Sequence, residues 1–384
     1  MLYYIFACGI TYKKRSINQK HTVKQRFELS AKEGKMTYDI ATLYADETGF
    51  RLIDGAKRVL DAIGKKYRRD FHFLDGVIGK IAMGKSANAL PQSTLETAAK
   101  SHAVLLGASG EQSPYASLLQ GAITSLCKSL GLYAGLHPIK LYPSLIGNSA
   151  LKADILSHGV DIVIVRDIDG GIYFGENGFR INGKFGREAF DTECYSELEI
   201  ERVARIAYEL ARTRNNCVAL ADKASNLTTS RLWRKIVTDI NEDYPDVRLD
   251  MLDIGEIAKR LAHNPSQFDV ILTSNLFGDA ITSFASALVG SQNAMPTIAL
   301  GDTTLGLYGA QCDVPEHLAK NGILNPIGEI LACASMLRLS LDLDAEATSI
   351  ENAVSATIAA NNLPYDLGGE LTCSQLIDEI ISRI

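Results

Sequence analysis

Asp161-Ile-Val-Ile-Val-Arg-Asp-Ile-Asp-Gly-Gly-Ile-Tyr173 runs, after its first residue, through four consecutive β-branched residues and then breaks into an arginine, two aspartates and a glycine pair. A run of that kind suits a strand covered on both faces, and the sudden polarity marks its end. Working outward, Ala103–Gly107 and Phe268–Thr273 read as buried strands of the same type. Between such runs lie stretches of helical period. Leu52, Ile53, Ala56, Val59, Leu60 and Ile63 share one helical face. Ser196-Glu-Leu-Glu199 is a capping box opening a helix with Ile200, Val203, Ala204, Ala207 and Leu210 on its apolar side. A further helix carries Leu232, Trp233, Ile236, Val237 and Ile240. Strands alternating with amphipathic helices predict an α/β fold, in which functional side chains gather at strand ends.

The chain has 384 residues, 46% hydrophobic and 22% charged, enough for two domains of ordinary size. A net charge of −6 with no long basic run argues against a nucleic-acid surface, and no membrane signal is present. The expected partner is a small molecule or another protein. Seven scattered cysteines without CxxC spacing predict a reduced cytoplasmic protein with neither a disulfide framework nor a zinc site. No GxGxxG or Walker loop occurs, so neither a Rossmann nor a P-loop reading is supported. No internal repeat or low-complexity tract is found. Residues 1–36 differ from the rest: Met1–Ile10 is apolar but lacks the flanks of a signal peptide, and Tyr12–Lys35 is polar without period. Codons for Lys32-Glu33-Gly34-Lys35 can spell a ribosome-binding site, which would place the native start at Met36; a genuine N-terminal tail is the alternative.

The opening stretch, together with Asn264-Pro-Ser-Gln-Phe-Asp269, Asn275-Leu-Phe-Gly-Asp279, Asp222-Lys-Ala224, Ser230-Arg-Leu-Trp233, Gly322-Ile-Leu-Asn-Pro326 and Asp366-Leu-Gly-Gly369, resembles the metal-dependent decarboxylating dehydrogenases, the isocitrate/isopropylmalate dehydrogenase family. The resemblance runs from about Tyr38 to the C-terminus. It implies a two-domain α/β fold that is not Rossmann: residues 37–132 plus 290–384 as the first domain with the cofactor loops, and 133–289 as the second with the substrate site. Phe174–Gly186, rich in glycine and polar residues, corresponds to an arm exchanged between subunits, implying a homodimer or a hetero-oligomer with a family paralogue. In the family a divalent cation, Mg²⁺ or Mn²⁺, chelates a 2-hydroxy acid while hydride leaves C2 for NAD. A Lys handles the hydroxyl proton and a Tyr protonates the enol.

Carried over residue by residue, Tyr173 corresponds to the general acid, Lys223 to the proton-handling lysine, Arg166 to a carboxylate-clamping arginine and Asp279 to one metal ligand. Each has a plainer reading: a turn tyrosine, an exposed lysine, a strand-end arginine and a helix N-terminal aspartate. Other family positions have changed. Two further metal aspartates fall on Gly255 and Ser283, with Asp253 and Glu256 reachable only by a shift in register. Asp279 alone should hold Mg²⁺ weakly. Two substrate arginines fall on Cys127 and His137; losing such partners costs on the order of 2–5 kcal/mol each. His137, titratable near neutrality when exposed, is expected either to supply a pH-dependent positive charge or simply to pack before Pro138.

The pocket positions fall on Ile123 and Thr124, and the cofactor-facing glutamate on Gln120. The adenosine loop reads Gln311-Cys-Asp-Val-Pro-Glu316, adding bulk and charge beside the dinucleotide, while Glu316 retains an acid for the ribose hydroxyls, favouring NAD. Asn325 either faces the cofactor or caps the helix after Pro326. Two functions follow from the resemblance and its departures. One is an NAD-linked oxidation of a small 2-hydroxy acid, with or without decarboxylation, at an altered metal and substrate site. The other is a non-catalytic paralogue acting as a structural or regulatory subunit.

Overall fold

In the computed structural model, residues 37–107, 116–310, 314 and 316–384 are described. The expectations about residues 1–36 and about Gln311, Cys312 and Asp313 lie outside them.

Twelve strands are described: β1 (Thr37–Tyr44), β2 (Asp70–Val77), β3 (Ala103–Gly107), β4 (Leu132–Lys140), β5 (Asp161–Asp167), β6 (Asn177–Asn182), β7 (Gly186–Asp191), β8 (Cys217–Asp222), β9 (Arg248–Asp253), β10 (Val270–Thr273), β11 (Pro296–Gly301) and β12 (Gly306–Ala310). Ten form one sheet in the order β2-β1-β3-β12-β11-β4-β5-β10-β8-β9, and β6 pairs only with β7. The wings are parallel. The centre, where β11 meets β12 and β4, and β4 meets β5, is antiparallel. Strands from both ends of the chain segment 37–310 make one half of the sheet, and strands from its middle the other.

Ile162, Val163, Ile164 and Val165 are completely buried, as a strand between two layers of helices requires. The helix Glu47–Tyr67 starts where the Asp46 side chain accepts the Gly49 N–H at 2.9 Å, and ends at Arg68 in the left-handed region. Its six predicted apolar residues are buried, the five larger than Ala56 each contributing about 1.5–3 kcal/mol by transfer from water. The capping box at Ser196 opens the helix Glu197–Arg212, and the predicted faces of this helix and of Thr228–Asn241 join the main core. Among the described residues no helix is long and apolar enough to cross a membrane. Cys127, Cys194, Cys217, Cys333 and Cys373 are all free thiols.

Parallel pairing aligns one edge of this sheet for function. Arg166 of β5 lies beside Thr273 of β10, Thr273 beside Ala221 of β8, and Ala221 beside Leu252 of β9. The next residues along each strand therefore emerge on the same edge.

Candidate active site

Arg166 is the last side chain but one of β5, and its guanidinium turns toward the helix Asn275–Ser286 that follows β10. Nε and Nη2 donate to Asn275 Oδ1 at 3.0 and 2.8 Å, and Nη1 donates to Asp279 Oδ1 at 2.5 Å. Tyr173 reaches the same carboxylate from the turn after β5, donating its hydroxyl to Oδ2 at 3.2 Å. Burial, reinforced by the Asp279 charge, raises the Tyr173 phenol above its ordinary range, so the ring keeps its proton as a donor.

The local chain explains this convergence. A Cβ on Gly278 would lie 2.6 Å from Arg166 Cγ, so only glycine lets the arginine cross the helix to reach Asp279. Gly171 has φ 79°, and a side chain there would run into the Tyr195 hydroxyl. Tyr195 in turn accepts the Asn275 N–H at 2.9 Å, while Asn275 Nδ2 donates to the Gly170 carbonyl at 2.9 Å. The buried Asn275 and Tyr195 thus lock the glycine turn to the helix start. Neither was assigned a role from the sequence, although Asn275 stood inside a recognised motif.

Lys223 emerges at the end of β8, two strands from Arg166, a lateral separation of roughly 10 Å at ~4.8 Å per strand. Its ammonium is paired with Asp253, at 3.0 and 2.8 Å to the two oxygens. That hydrogen bond holds the Asp253 carboxyl below its usual range, helped by the Gly255 N–H that it caps at 2.9 Å. Within one chain, therefore, Tyr173, Arg166 and Asp279 are brought into contact, and Lys223 belongs to a separate pair.

Of the two readings of His137, the structure favours packing before Pro138 over a pH-dependent charge. The histidine pairs with Ile164 inside the sheet and is only 4% exposed. Burial, and secondarily the Arg166 charge, push its imidazole down to about 3. It cannot furnish a cation near neutrality. Nε2 has no hydrogen-bond partner and points back toward Gly135, the residue opposite Arg166. Cys127, buried on the helix Ala116–Ser129, is likewise uncharged, its thiol pushed up to about 12 by burial.

Within one chain, the described side chains at this edge do not make up a divalent-cation site. Asp279 is half exposed and already receives Arg166 and Tyr173. Ser283, one turn further on the helix, and Gly255 offer no carboxylate. Asp253 is held by Lys223, and Glu256 by Arg260 with Lys259 nearby. Among the described residues no three His, Cys, Asp or Glu side chains are grouped as metal ligands are.

Of the residues nominated for the dinucleotide, Gln120 is exposed on its helix and Glu316 opens the helix Glu316–Lys320. Asn325 takes its plainer role: Oδ1 accepts the Ile327 N–H at 2.9 Å and Nδ2 donates to Asp366 at 3.1 Å. Its amide is committed on both sides.

Comparison with known proteins agrees with this architecture. The family model described as isocitrate/isopropylmalate dehydrogenase matches residues 39–380. A 3-isopropylmalate dehydrogenase of Pseudoalteromonas translucida is 40% identical over 357 residues, covering 91% of this chain and 99% of that protein. One from Oleidesulfovibrio alaskensis is 38% identical, covering 91% and 100%. Among solved structures, isocitrate dehydrogenase from Methylococcus capsulatus superposes with a TM-score of 0.79 at 25% identity, over 90% of this chain and 99% of that one. A β-decarboxylating dehydrogenase from Thermococcus kodakarensis gives 0.74 at 31% identity, over 90% and 96%.

Proposed function

The chain belongs to the isocitrate/isopropylmalate dehydrogenase family, and from that membership we propose that it oxidises the C2 hydroxyl of a small 2-hydroxy acid bearing one carboxylate, with NAD as hydride acceptor. One observation carries the choice of acid: among the described residues Arg166 is the one guanidinium paired with Asp279, while Cys127 and His137, at the positions of two further arginines, are uncharged. A second carboxylate would meet a neutral Cys127 and a neutral His137 where two guanidinium groups would otherwise stand, at a cost on the order of 2–5 kcal/mol.

When bound, NAD supplies the hydride acceptor. Arg166 orients the acid's carboxylate through its planar fork, and Asn275, holding Nε and Nη2, fixes the direction of that fork. Tyr173 keeps its proton at Oη, 3.2 Å from Asp279 Oδ2, where it can donate to a bound acid. The C2 hydrogen leaves as hydride and the hydroxyl proton passes to solvent at the half-exposed edge beside Asp279; a monoacid has no β-carboxylate to release, so oxidation ends at the 2-oxo acid. The assignment of residues 37–132 plus 290–384 to one domain and 133–289 to the other is part of the same proposal, as is a reduced cytoplasmic setting.

The test is NADH formation by the purified chain with matched 2-hydroxy mono- and dicarboxylates. Turnover of the monoacid alone supports the reading; turnover confined to 3-isopropylmalate with Mg²⁺ sinks it. A second reading, a non-catalytic subunit alongside a family paralogue, draws on Lys223, whose Nζ is engaged by both Asp253 oxygens and stands apart from the Arg166 cluster. Absence of turnover with every acid, plus recovery of a paralogue on affinity purification from the host, would favour it.

A further inference from the structure

Arg166 and Asp279 neutralise one another at the mouth of the site, but the two are not held alike. The arginine side chain is 14% exposed and anchored through Asn275, whereas the Asp279 side chain is 49% exposed and touches only Arg166 Nη1 and the Tyr173 hydroxyl among the contacts described. The cation is fixed; the anion faces solvent. An incoming carboxylate needs the Nη1 edge that Asp279 holds.

Resting on the reading of this edge as an acid site, we infer that Asp279, instead of helping to hold a metal, stands in for the substrate's carboxylate on Arg166, and that a monocarboxylate displaces it without any divalent cation. The donor set supports this. Both Asp279 oxygens already receive protein hydrogens, and the positions from which other carboxylates would come are Gly255 and Ser283. Charge balance selects the ligand class. With a monoacid bound, two negative charges share one guanidinium; with a diacid, three would, and neither Cys127 nor His137 relieves the excess.

The consequence runs opposite to that of a metal-holding aspartate. Removing a ligating carboxylate weakens substrate binding, whereas removing a competitor strengthens it. The experiment is calorimetric titration of the full chain, without NAD, with 2-hydroxyisocaproate in EDTA and again in Mg²⁺, for the wild type, Asp279→Asn and Arg166→Gln. The expected result is binding of wild type that Mg²⁺ changes by less than about twofold, binding by Asp279→Asn about tenfold tighter, and none by Arg166→Gln. Weaker or unchanged binding by Asp279→Asn overturns the inference. So does a tenfold or larger gain from Mg²⁺ in wild type, or no binding by either protein. Asp279→Ser and the wild-type Mg²⁺ comparison keep the inference falsifiable should Asp279→Asn misfold. Its failure is separable from that of the proposed reaction: acid that binds as described but never yields NADH sinks the reaction alone.

Discussion

Asp167 and His137 lie close to Arg166 and respond to pH in opposite senses. Asp167 is fully buried with Oδ1 unpartnered. Burial, only partly offset by the Gly170 N–H at 2.8 Å, pushes its carboxyl up to about 7. A carboxyl raised on folding favours the folded state most below its unfolded value near 4, and that contribution is lost as pH rises toward 7. Asp167→Asn removes the titration, so its gain in stability should be larger at pH 8 than at pH 4, by roughly a few kcal/mol. Urea unfolding at the two pH values measures this; equal gains would place Asp167 in a solvated setting. His137, depressed to about 3, acts the other way. Its contribution is present above the unfolded value near 6.5 and lost as pH falls below it, so His137→Gln should flatten the acid limb of the stability profile. Arg166 and Tyr173 were legible from the sequence because a motif names them. The neutrality of His137 was not, because burial inside a sheet is a tertiary property that a local pattern does not encode.

At the level of elements, β5, β3 and the major amphipathic helices could be read from the chain because each has a face to bury, and burial leaves a period in the sequence. The hairpin β6–β7 leaves none: Phe179, Ile181 and Phe185 are 83%, 86% and 72% exposed, so apolar and polar residues there follow no inside and outside. The sequence predicts only a glycine-rich arm over Phe174–Gly186, with no strand; the structure has a paired ribbon of residues 177–182 and 186–191. The crossing of Arg166 over the helix Asn275–Ser286 was equally hidden, because it depends on the missing side chain of Gly278. Gly278→Ala should cost about 1–3 kcal/mol by overpacking and, more tellingly, weaken acid binding as strongly as a lesion at Arg166 itself. A thermal melt with a parallel ligand titration separates the two effects. Full acid affinity in a folded Gly278→Ala protein would show that the guanidinium reaches its place by another route.

For the whole molecule, the continuous ten-stranded sheet brings both ends of the described chain to one half and its middle to the other, and the exposed hairpin projects from the middle half. A two-stranded ribbon with no third strand and no packed face is marginal in water. Here it also presents three large apolar side chains, with Leu198 at 70% exposure on the helix that follows. We therefore expect the ribbon to be completed by a second copy of the chain, through an isologous contact in which each hairpin covers its counterpart. Light scattering at micromolar concentration should give twice the mass of the chain. Phe179→Asp combined with Ile181→Asp should shift the protein toward monomer while leaving the central sheet intact by circular dichroism, because neither residue touches the core. Loss of the dimer should also raise proteolysis within 177–191, where the unpaired ribbon would fray. A wild-type monomer, or a double variant that stays dimeric with a protected hairpin, would move the interface elsewhere and leave the apolar ribbon without an account.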